Sequence, residues 1–600
     1  LEDHVASQSI VSHIATVGVI GCGTMGAGIA ELIARNGIPV RFIEMDAASV
    51  DAGYGRLNGS LDRQVARGKL DDAEKTAILG RVLGTTDWAE LKDCDLIVEA
   101  VPEVLAIKQA TFKKIDAHAR HDAIIATNTS SLPVMDIAVV TKRPNRVLGF
   151  HFFNPAPVMK LIELVRTVIT DDAAVETASA FAHAIGKKPV VVGDRRGFIA
   201  NQLLFPYLNQ AVWMVEGGYA TREDIDTAMR LGAGLPMGPI ALTDLVGIDT
   251  FLGIMDAIHS QFDAPRFAPR PLLSQLALAG FTGRKAGRGF YTYAQQGSSQ
   301  ILPEGFERPA PDFARVSHWT HVGIVGTGVM ATGIAEVCAR AGYTVTVLGR
   351  TRDKSEALIA RVARSLQGLI DKQRLTEEER VATLAKLRPS IDVRDMADAH
   401  IVIEAITGDV EAKQATYAAV AAHVGTDTVF ATTSSAVAVT SCAMSSDRPE
   451  RFIGLHFFNP AEKMPLVEIV TTLRASEATV EDARAFVSAI GKVGVLCGDR
   501  AGFIVNTLLF PYLNDAVKML ESHYATAEQI DTAMKLGCGY PMGPFELMDA
   551  VGLDETLAVI QRLHAEYRQP SYAPAPLLRH LVEVGFHGRK TGRGFYVYDA

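Results

Sequence analysis

Cysteine is scarce in this chain of 600 residues. The six that occur (Cys22, Cys94, Cys338, Cys442, Cys497 and Cys538) form no CxxC pair and show no zinc-type spacing. That pattern argues against a disulfide framework and a metal-clipped fold, and it fits a reducing compartment. Basic residues are also in deficit, with 59 Lys and Arg against 68 Asp and Glu, a net charge of −9. A chain of that balance is not a general nucleic-acid binder, so an anionic ligand has to be met by local cations or backbone N–H groups. No uninterrupted apolar stretch approaches the ~18 residues that would suggest a membrane span. The N-terminus carries Glu2 and Asp3 instead of a basic region followed by an apolar run, so no secretory signal is expected. These absences together lead to the expectation of a soluble, cytoplasmic protein.

What the chain has is repetition. His151-Phe152-Phe153-Asn154-Pro155 returns as His456-Phe457-Phe458-Asn459-Pro460, an offset of 305 (456 − 151). Gly21 and Gly326, Glu163 and Glu468, Asn201 and Asn506, and Tyr293 and Tyr598 share that offset. A unit this long is a whole module in tandem, not a solenoid repeat. Differences between the copies therefore read as changes in chemistry.

Within copy one, Thr16–Ile20, Val40–Ile43, Leu96–Val98, Ala123–Ala126 and Val147–Phe150 read as short buried strands with helical stretches between them. Strands alternating with helices predict a parallel, doubly wound sheet. From Phe198 onward the pattern becomes helical, with helices expected over Leu203–Glu216, Arg222–Leu231 and Thr243–Gln261. The stretch 294–318 holds Gly297-Ser298-Ser299, Pro303, Pro309 and Pro311 and reads as a linker. The expected division is 14–195 and 196–293 for copy one, then the linker, then 319–500 and 501–600 for copy two.

Gly21-Cys22-Gly23-Thr24-Met25-Gly26 has the GxGxxG form and lies between a strand and a helix. The first glycine permits the tight turn and the second admits a pyrophosphate to the backbone. The third allows close helix–strand packing, with the helix N-terminus toward the phosphates. Glu44 ends the next strand, where a carboxylate accepts hydrogen bonds from ribose hydroxyls and repels a 2′-phosphate. Copy one is thus a Rossmann-type unit expected to prefer NAD. Copy two reads Gly326-Thr327-Gly328-Val329-Met330-Ala331, and Gly349 replaces the carboxylate, followed by Arg350 and Arg352. Losing the carboxylate and gaining guanidinium groups suits a 2′-phosphate, so copy two is expected to take NAD or NADP; the bland alternative is drift with solvated arginines. The fold class is α/β: a doubly wound sheet plus an all-helical second domain, the pair duplicated.

His151 follows an apolar strand at the carboxyl edge of the sheet, where ligands bind in open α/β folds. Glu163 comes twelve residues later, and a carboxylate on imidazole Nδ1 fixes the tautomer and raises the basicity of the other nitrogen. A lone histidine of this kind is more often structural, but the pair recurs at one spacing as His456 and Glu468.

These residues carry a resemblance. Thr127-Asn128-Thr129-Ser130-Ser131, the segment Gly149–Met159 around His151, Gly197-Phe198-Ile199-Ala200-Asn201, Pro236-Met237-Gly238-Pro239 and the segment Gly283–Tyr291 resemble the L-3-hydroxyacyl-CoA dehydrogenase family, in particular its bacterial 3-hydroxybutyryl-CoA branch. Copy two resembles it over the same extent. The resemblance implies an oxidoreductase interconverting (S)-3-hydroxyacyl-CoA and 3-oxoacyl-CoA with a nicotinamide cofactor. By that resemblance His151 is the general acid/base, Glu163 orients it, and Ser130 and Asn201 bond the substrate oxygens. Asn154 lines the pocket, Glu103, Lys108 and Asn128 flank the cofactor, and Lys69 lies in a helical hairpin that contacts the acyl-CoA. Copy two keeps Ser435, His456, Asn459, Glu468, Asn506 and Lys413, and departs at Gly408 for Glu103, Thr433 for Asn128 and Arg374 near the place of Lys69.

The family's helical domain is its dimer-forming part, which implies an intrachain pseudo-dimer through Leu204–Asn209 and Leu509–Asn514, with further homo-oligomers open. Three alternatives stand beside the two-enzyme reading. The phosphogluconate type uses a lysine base, which the His–Glu pair disfavours. A nucleotide sensor would bind cofactor without turnover. In a hybrid, copy one catalyses and copy two is a scaffold or a regulatory nucleotide-binding half.

Overall fold

The structure, a computed structural model, describes residues 14–305, 307–408, 410–435 and 437–598. Glu2 and Asp3, and the last two residues of the second helical unit, lie outside them. Copy one opens with β1 (Val17–Ile20), β2 (Val40–Ile43), β3 (Val82–Thr85), β4 (Leu96–Glu99) and β5 (Ile124–Thr127). It continues with β6 (Val147–Phe152), β7 (Leu161–Arg166) and β8 (Lys188–Gly193). All eight make one sheet in the order β3-β2-β1-β4-β5-β6-β7-β8. Every neighbouring pair is parallel except β6 and β7. The chain winds outward from β1 in one direction and resumes at β4 on its other side. That reversal opens a crevice at the carboxyl ends of β1 and β4.

Copy two repeats the plan with β9 (His321–Val325), β10 (Thr344–Leu348), β11 (Leu387–Ser390) and β12 (Ile401–Glu404). Its remaining strands are β13 (Val429–Thr432), β14 (Phe452–Phe457), β15 (Leu466–Thr471) and β16 (Val493–Gly498), in the equivalent order.

Two local expectations are corrected. Strand β6 runs on to Phe152, so His151 lies within a strand and not just past one. Antiparallel pairing with β7, whose apolar alternation is short, extends it. The single helix expected over Thr243–Gln261 is two, Pro239–Val246 and Ile248–Phe262. Gly247, at φ 95°, breaks them, because the left-handed region cannot continue a right-handed helix.

The helical units are closed by two buried carboxylates per copy. Asp226 accepts from the N–H groups of Ile240 and Ala241, which start the helix Pro239–Val246, and from the Tyr291 hydroxyl. Asp244 accepts from Phe290 N–H, Tyr291 N–H and the Tyr293 hydroxyl. A Cβ at Gly289 would lie 2.1 Å from Asp244 Oδ1, which explains the small residue in the Gly283–Tyr291 segment. Asp531 and Asp549 repeat the arrangement. Burial pushes the carboxyls of Asp226 and Asp531 up from 3.8 to about 6, against the pull of these hydrogen bonds. A carboxyl raised on folding favours the native state most below its unfolded value, and that contribution fades as pH rises through the folded value. The stability margin of the parent chain over Asp226→Asn is therefore expected to shrink between about pH 4 and pH 7, by an order of 2–3 kcal/mol. Urea unfolding across that range checks it, and a margin that widens with pH would refute it.

The two helical units pack on each other. Helices Ala200–Glu216 and Val505–Glu521 lie together, with the rings of Tyr207 and Tyr512 at 6.3 Å. Arg266 makes a bidentate ion pair with Asp515 across this contact, and Gln210 donates to the Tyr572 hydroxyl (2.9 Å). The described residues of 294–318 are docked along the surface. Glu304 pairs with Arg222, Arg308 with Asp224 (2.9 Å), and Arg315 with Asp482 of copy two (2.8 Å). Among the described residues no helix is long and apolar enough to cross a membrane.

Candidate active site

The pair His151–Glu163 is a product of strand register. In the antiparallel β6–β7 ladder these two residues are direct partners, so their side chains leave the same face of the sheet. His151 Nδ1 donates to Glu163 Oε2 at 2.7 Å, and both side chains are buried. Because a carboxylate only accepts, the proton is assigned to Nδ1 and the lone pair to Nε2. Nε2 has no partner among the described residues and is not sealed from solvent. The other carboxylate oxygen, Oε1, accepts from Ile199 N–H and Ala200 N–H, each at 3.0 Å. These N–H groups open the helix Ala200–Glu216, whose N-terminal partial charge favours the ionised carboxylate. Gly197 (φ 79°) and Phe198 (φ 48°) turn the chain so that this helix end faces Glu163. A left-handed phenylalanine costs of order 1–3 kcal/mol and persists where the surroundings demand it. The Phe198 ring packs 5.5 Å from His151, and the Phe153 ring 4.6 Å from it on another side.

Copy two reproduces the geometry. His456 Nδ1 donates to Glu468 Oε2 at 2.6 Å, and Glu468 Oε1 accepts from Ile504 N–H (3.0 Å) and Val505 N–H (2.8 Å). Phe503 sits at φ 49°.

The glycine-rich turn lies at the crevice beside β1. Gly21 takes φ 86°, and a Cβ on Gly26 would fall 1.8 Å from the Gly21 carbonyl oxygen, so the third glycine is a packing requirement. Ala331 fills that place in copy two, where the first glycine, Gly326, opens to φ 127°. A Cβ on Gly23 or Gly328 would meet nothing within 4 Å. That open approach, with Thr24 and Met25 starting the helix Thr24–Arg35, fits a pyrophosphate laid on backbone N–H groups. Val329 and Met330 start the matching helix. Glu44 receives Cys22 N–H at 2.5 Å on one oxygen, which fixes the carboxylate at the end of β2. In copy two a Cβ on Gly349 would lie 2.4 Å from Ser355 Oγ. Arg350 is exposed and without a partner among the described residues, whereas Arg352 is engaged with Glu356 at 3.0 Å.

Beside the turn, Glu103 anchors the loop after β5. Its Oε1 accepts from Thr129 Oγ1 (2.6 Å) and from the N–H groups of Ser130 (2.8 Å) and Ser131 (3.0 Å). Burial works to raise this carboxyl, but Lys108 and the donors of Thr129, Ser130 and Ser131 hold it below the usual range. Lys108 is buried beneath the loop that Glu103 anchors. Its buried ammonium donates to Glu99 (2.7 Å), with Glu103 at 3.3 Å. Lys413 pairs likewise with Glu404 at 2.7 Å. Glu99 and Glu404 were missed in the sequence reading; an acidic residue ending an apolar strand, nine before a lysine, was the available signal. In copy two Gly408 stands in the place of Glu103.

Asn201 donates to the Ser130 carbonyl at 3.2 Å, bringing the helical unit onto the loop. Asn128 Oδ1 accepts from Phe152 N–H at 2.9 Å, so it ties β5 to β6. Asn154 and Asn459 are exposed, beyond the strand ends. Asn506 is half-buried in the helix Val505–Glu521. Lys69 is exposed at the tip of the hairpin formed by the helices Ala47–Ala66 and Asp72–Leu79. No cluster of metal-ligating side chains occurs among the described residues.

Comparison with known proteins agrees with this architecture. The family model for the 3-hydroxyacyl-CoA dehydrogenase NAD binding domain matches residues 16–195 and 321–500. The model for the C-terminal domain of 3-hydroxyacyl-CoA dehydrogenase matches 197–293 and 502–598. A 3-hydroxybutyryl-CoA dehydrogenase of Mycobacterium tuberculosis is 48% identical over 282 residues, which is 47% of this chain and 99% of that protein. The human mitochondrial hydroxyacyl-coenzyme A dehydrogenase is 42% identical over 299 residues, 48% of this chain and 93% of that one. A solved structure of 3-hydroxybutyryl-CoA dehydrogenase from Escherichia coli K12 covers 96% of this chain and 99% of its own, at 26% identity and a TM-score of 0.68. The chain belongs to the 3-hydroxyacyl-CoA dehydrogenase family, as an NAD-dependent oxidoreductase that carries the family's two-domain unit twice.

Proposed function

We propose that copy one interconverts (S)-3-hydroxyacyl-CoA and 3-oxoacyl-CoA, with 3-hydroxybutyryl-CoA and acetoacetyl-CoA as the fitting acyl size. The observation that carries this reading is the buried His151–Glu163 pair, which presents an open Nε2 at the carboxyl edge of the sheet. A secondary alcohol releases hydride from C3 only as its hydroxyl proton is removed, and Nε2 takes that proton. NAD, held by Gly21, Gly23, Thr24, Met25, Gly26 and Glu44, supplies the hydride acceptor when bound. Glu163 keeps the proton on Nδ1 and stabilises the imidazolium that forms. In the reverse direction the same nitrogen returns the proton to the 3-oxo oxygen. Ser130 and Asn201 orient the substrate oxygens, Asn154 closes the pocket, and Lys69 meets the CoA phosphates.

Copy two is assigned the same chemistry through His456, Glu468, Ser435, Asn459 and Asn506. Its cofactor is NAD or NADP; the lack of a carboxylate at Gly349 and the exposed Arg350, unpartnered among the described residues, support acceptance of a 2′-phosphate. A second reading is favoured by one observation, Gly408 in place of the loop anchor Glu103: there, copy two is a scaffold or regulatory half. We further propose that the packed helical units, 196–293 and 501–600, act as an intrachain pseudo-dimer. The six free cysteines support a reducing, cytoplasmic setting.

The test is acetoacetyl-CoA-dependent oxidation of NADH and NADPH by the intact chain. NADH oxidation is expected, with NADPH oxidation as the signature of copy two. Binding of NADH without turnover would replace this reading with that of a nucleotide sensor.

A further inference from the structure

Each His–Glu pair is flanked by a helix of the opposite copy. Helix Ala527–Cys538 of copy two lies on β7 and β8 of copy one, and helix Arg222–Gly232 of copy one lies on β15 and β16 of copy two. The seating is reciprocal. The Tyr524 hydroxyl donates to the Gly193 carbonyl and the Tyr219 hydroxyl to the Gly498 carbonyl, both at 2.8 Å. The Arg195 guanidinium stacks 4.4 Å over the Tyr524 ring, and that of Arg500 5.2 Å over Tyr219.

At the end of each helix a glycine meets the dyad's supports. A Cβ on Gly537 would lie 2.8 Å from Leu161 Cδ2 and 3.1 Å from Phe153 Cε1. Phe153 follows His151 by two residues and its ring packs on the imidazole; Leu161 precedes Glu163 by two on β7. One glycine of copy two therefore touches both arms of the copy-one hairpin beside the catalytic pair. Gly232 is placed equivalently. A Cβ there would lie 2.7 Å from Leu466 Cδ2, 2.9 Å from Val505 Cγ2 and 3.4 Å from Phe458 Cζ. Phe458 packs 4.8 Å from His456, and Val505 N–H is one of the two donors on Glu468.

We infer that Gly537 and Gly232 are positioning residues acting in trans: Gly537 sets the His151–Glu163 geometry, and Gly232 sets that of His456–Glu468. The inference rests on the proposed role of the dyad. A side chain at either glycine has no empty space to enter, so it displaces the phenylalanine that abuts the imidazole. Displacements well under 1 Å are enough to lower the rate of a positioned proton transfer.

The test uses the full chain with His456→Ala, which reports site one alone. Gly537→Ala and Gly537→Val are expected to lower kcat progressively, by at least tenfold for valine. KM for acetoacetyl-CoA and the NADH affinity, read by fluorescence titration, should stay within about twofold, because neither binding surface is touched. Gly232→Val in the same background should leave site one within twofold of its parent. Leu161→Ala, which makes room beside Gly537, should restore part of the kcat lost in Gly537→Val. The inference is overturned if Gly537→Val leaves kcat within twofold, or if Gly232→Val lowers site-one kcat equally, which marks general destabilisation. The His151→Ala/His456→Ala chain separates the two failures: residual turnover there sinks the role of the dyad, and its absence leaves the glycine result to stand or fall alone.

Discussion

With copy two silenced by His456→Ala, replacing His151 with alanine is expected to lower NADH-dependent reduction of acetoacetyl-CoA by about 10²–10⁴-fold, the usual share of a positioned general acid/base. Nothing else in the described cleft can take over. Glu163 is buried, with its oxygens committed to His151, Ile199 and Ala200. Lys108 is buried on Glu99. The loss should appear in kcat, with KM little changed, since the imidazole acts on the reacting proton. His456→Ala is the matching experiment with NADPH. If each variant keeps turnover with a different cofactor, the chain is two enzymes of divided nucleotide preference, and Gly349 with Arg350 explains the division. If His151→Ala abolishes all turnover and His456→Ala changes nothing, copy two is a scaffold. Gly408 in the place of Glu103 is then the first difference to test, by Gly408→Glu.

The sequence made the repeat, the fold class and the glycine-rich turn readable because each is local. Val17–Ile20 followed by GxGxxG and a helix carries its own periodicity. The antiparallel strand pair that creates the dyad was not read, although Leu161–Arg166 and Lys188–Gly193 are apolar enough. Strand partnership is a long-range choice, and only the register of β6 on β7 makes His151 and Glu163 neighbours. The N–H groups of Ile199 and Ala200 on Glu163 escaped for a related reason. Backbone donors have no residue signature, and what exposes them is the left-handed turn at Gly197-Phe198. Lys108 is the converse case. Its position suggested the cofactor edge, but whether its ammonium faces a ligand or Glu99 depends on packing that a string of letters does not carry. The contacts of Gly232 and Gly537 lie one step further away, since they join residues of different copies.

Glu163→Gln is expected to cost about as much as losing the histidine, roughly 10²–10⁴-fold in kcat, although it removes no atom of the proton-transfer path. The carboxylate answers three donors at once: His151 Nδ1–H on one oxygen, and the Ile199 and Ala200 N–H groups on the other. Glutamine has one accepting end. If its carbonyl faces the helix, its amide N–H opposes His151 and selects the tautomer with the proton on Nε2, which cannot act as a base. If its carbonyl faces His151, the amide opposes two buried N–H groups at the helix N-terminus, at about 1–3 kcal/mol for each group left unmade. Either arrangement also removes the negative charge that stabilises the imidazolium. The two outcomes differ in what a melt would read: the first leaves stability near the parent's, and the second lowers it. Glu163→Ala should lose activity as well, with stability reduced whichever way the site relaxes. A Glu163→Gln chain with kcat within threefold of its parent, assayed with His456→Ala to silence copy two, would remove the orienting role from Glu163. His151 would then have to work through contacts with Phe153 and Phe198 alone.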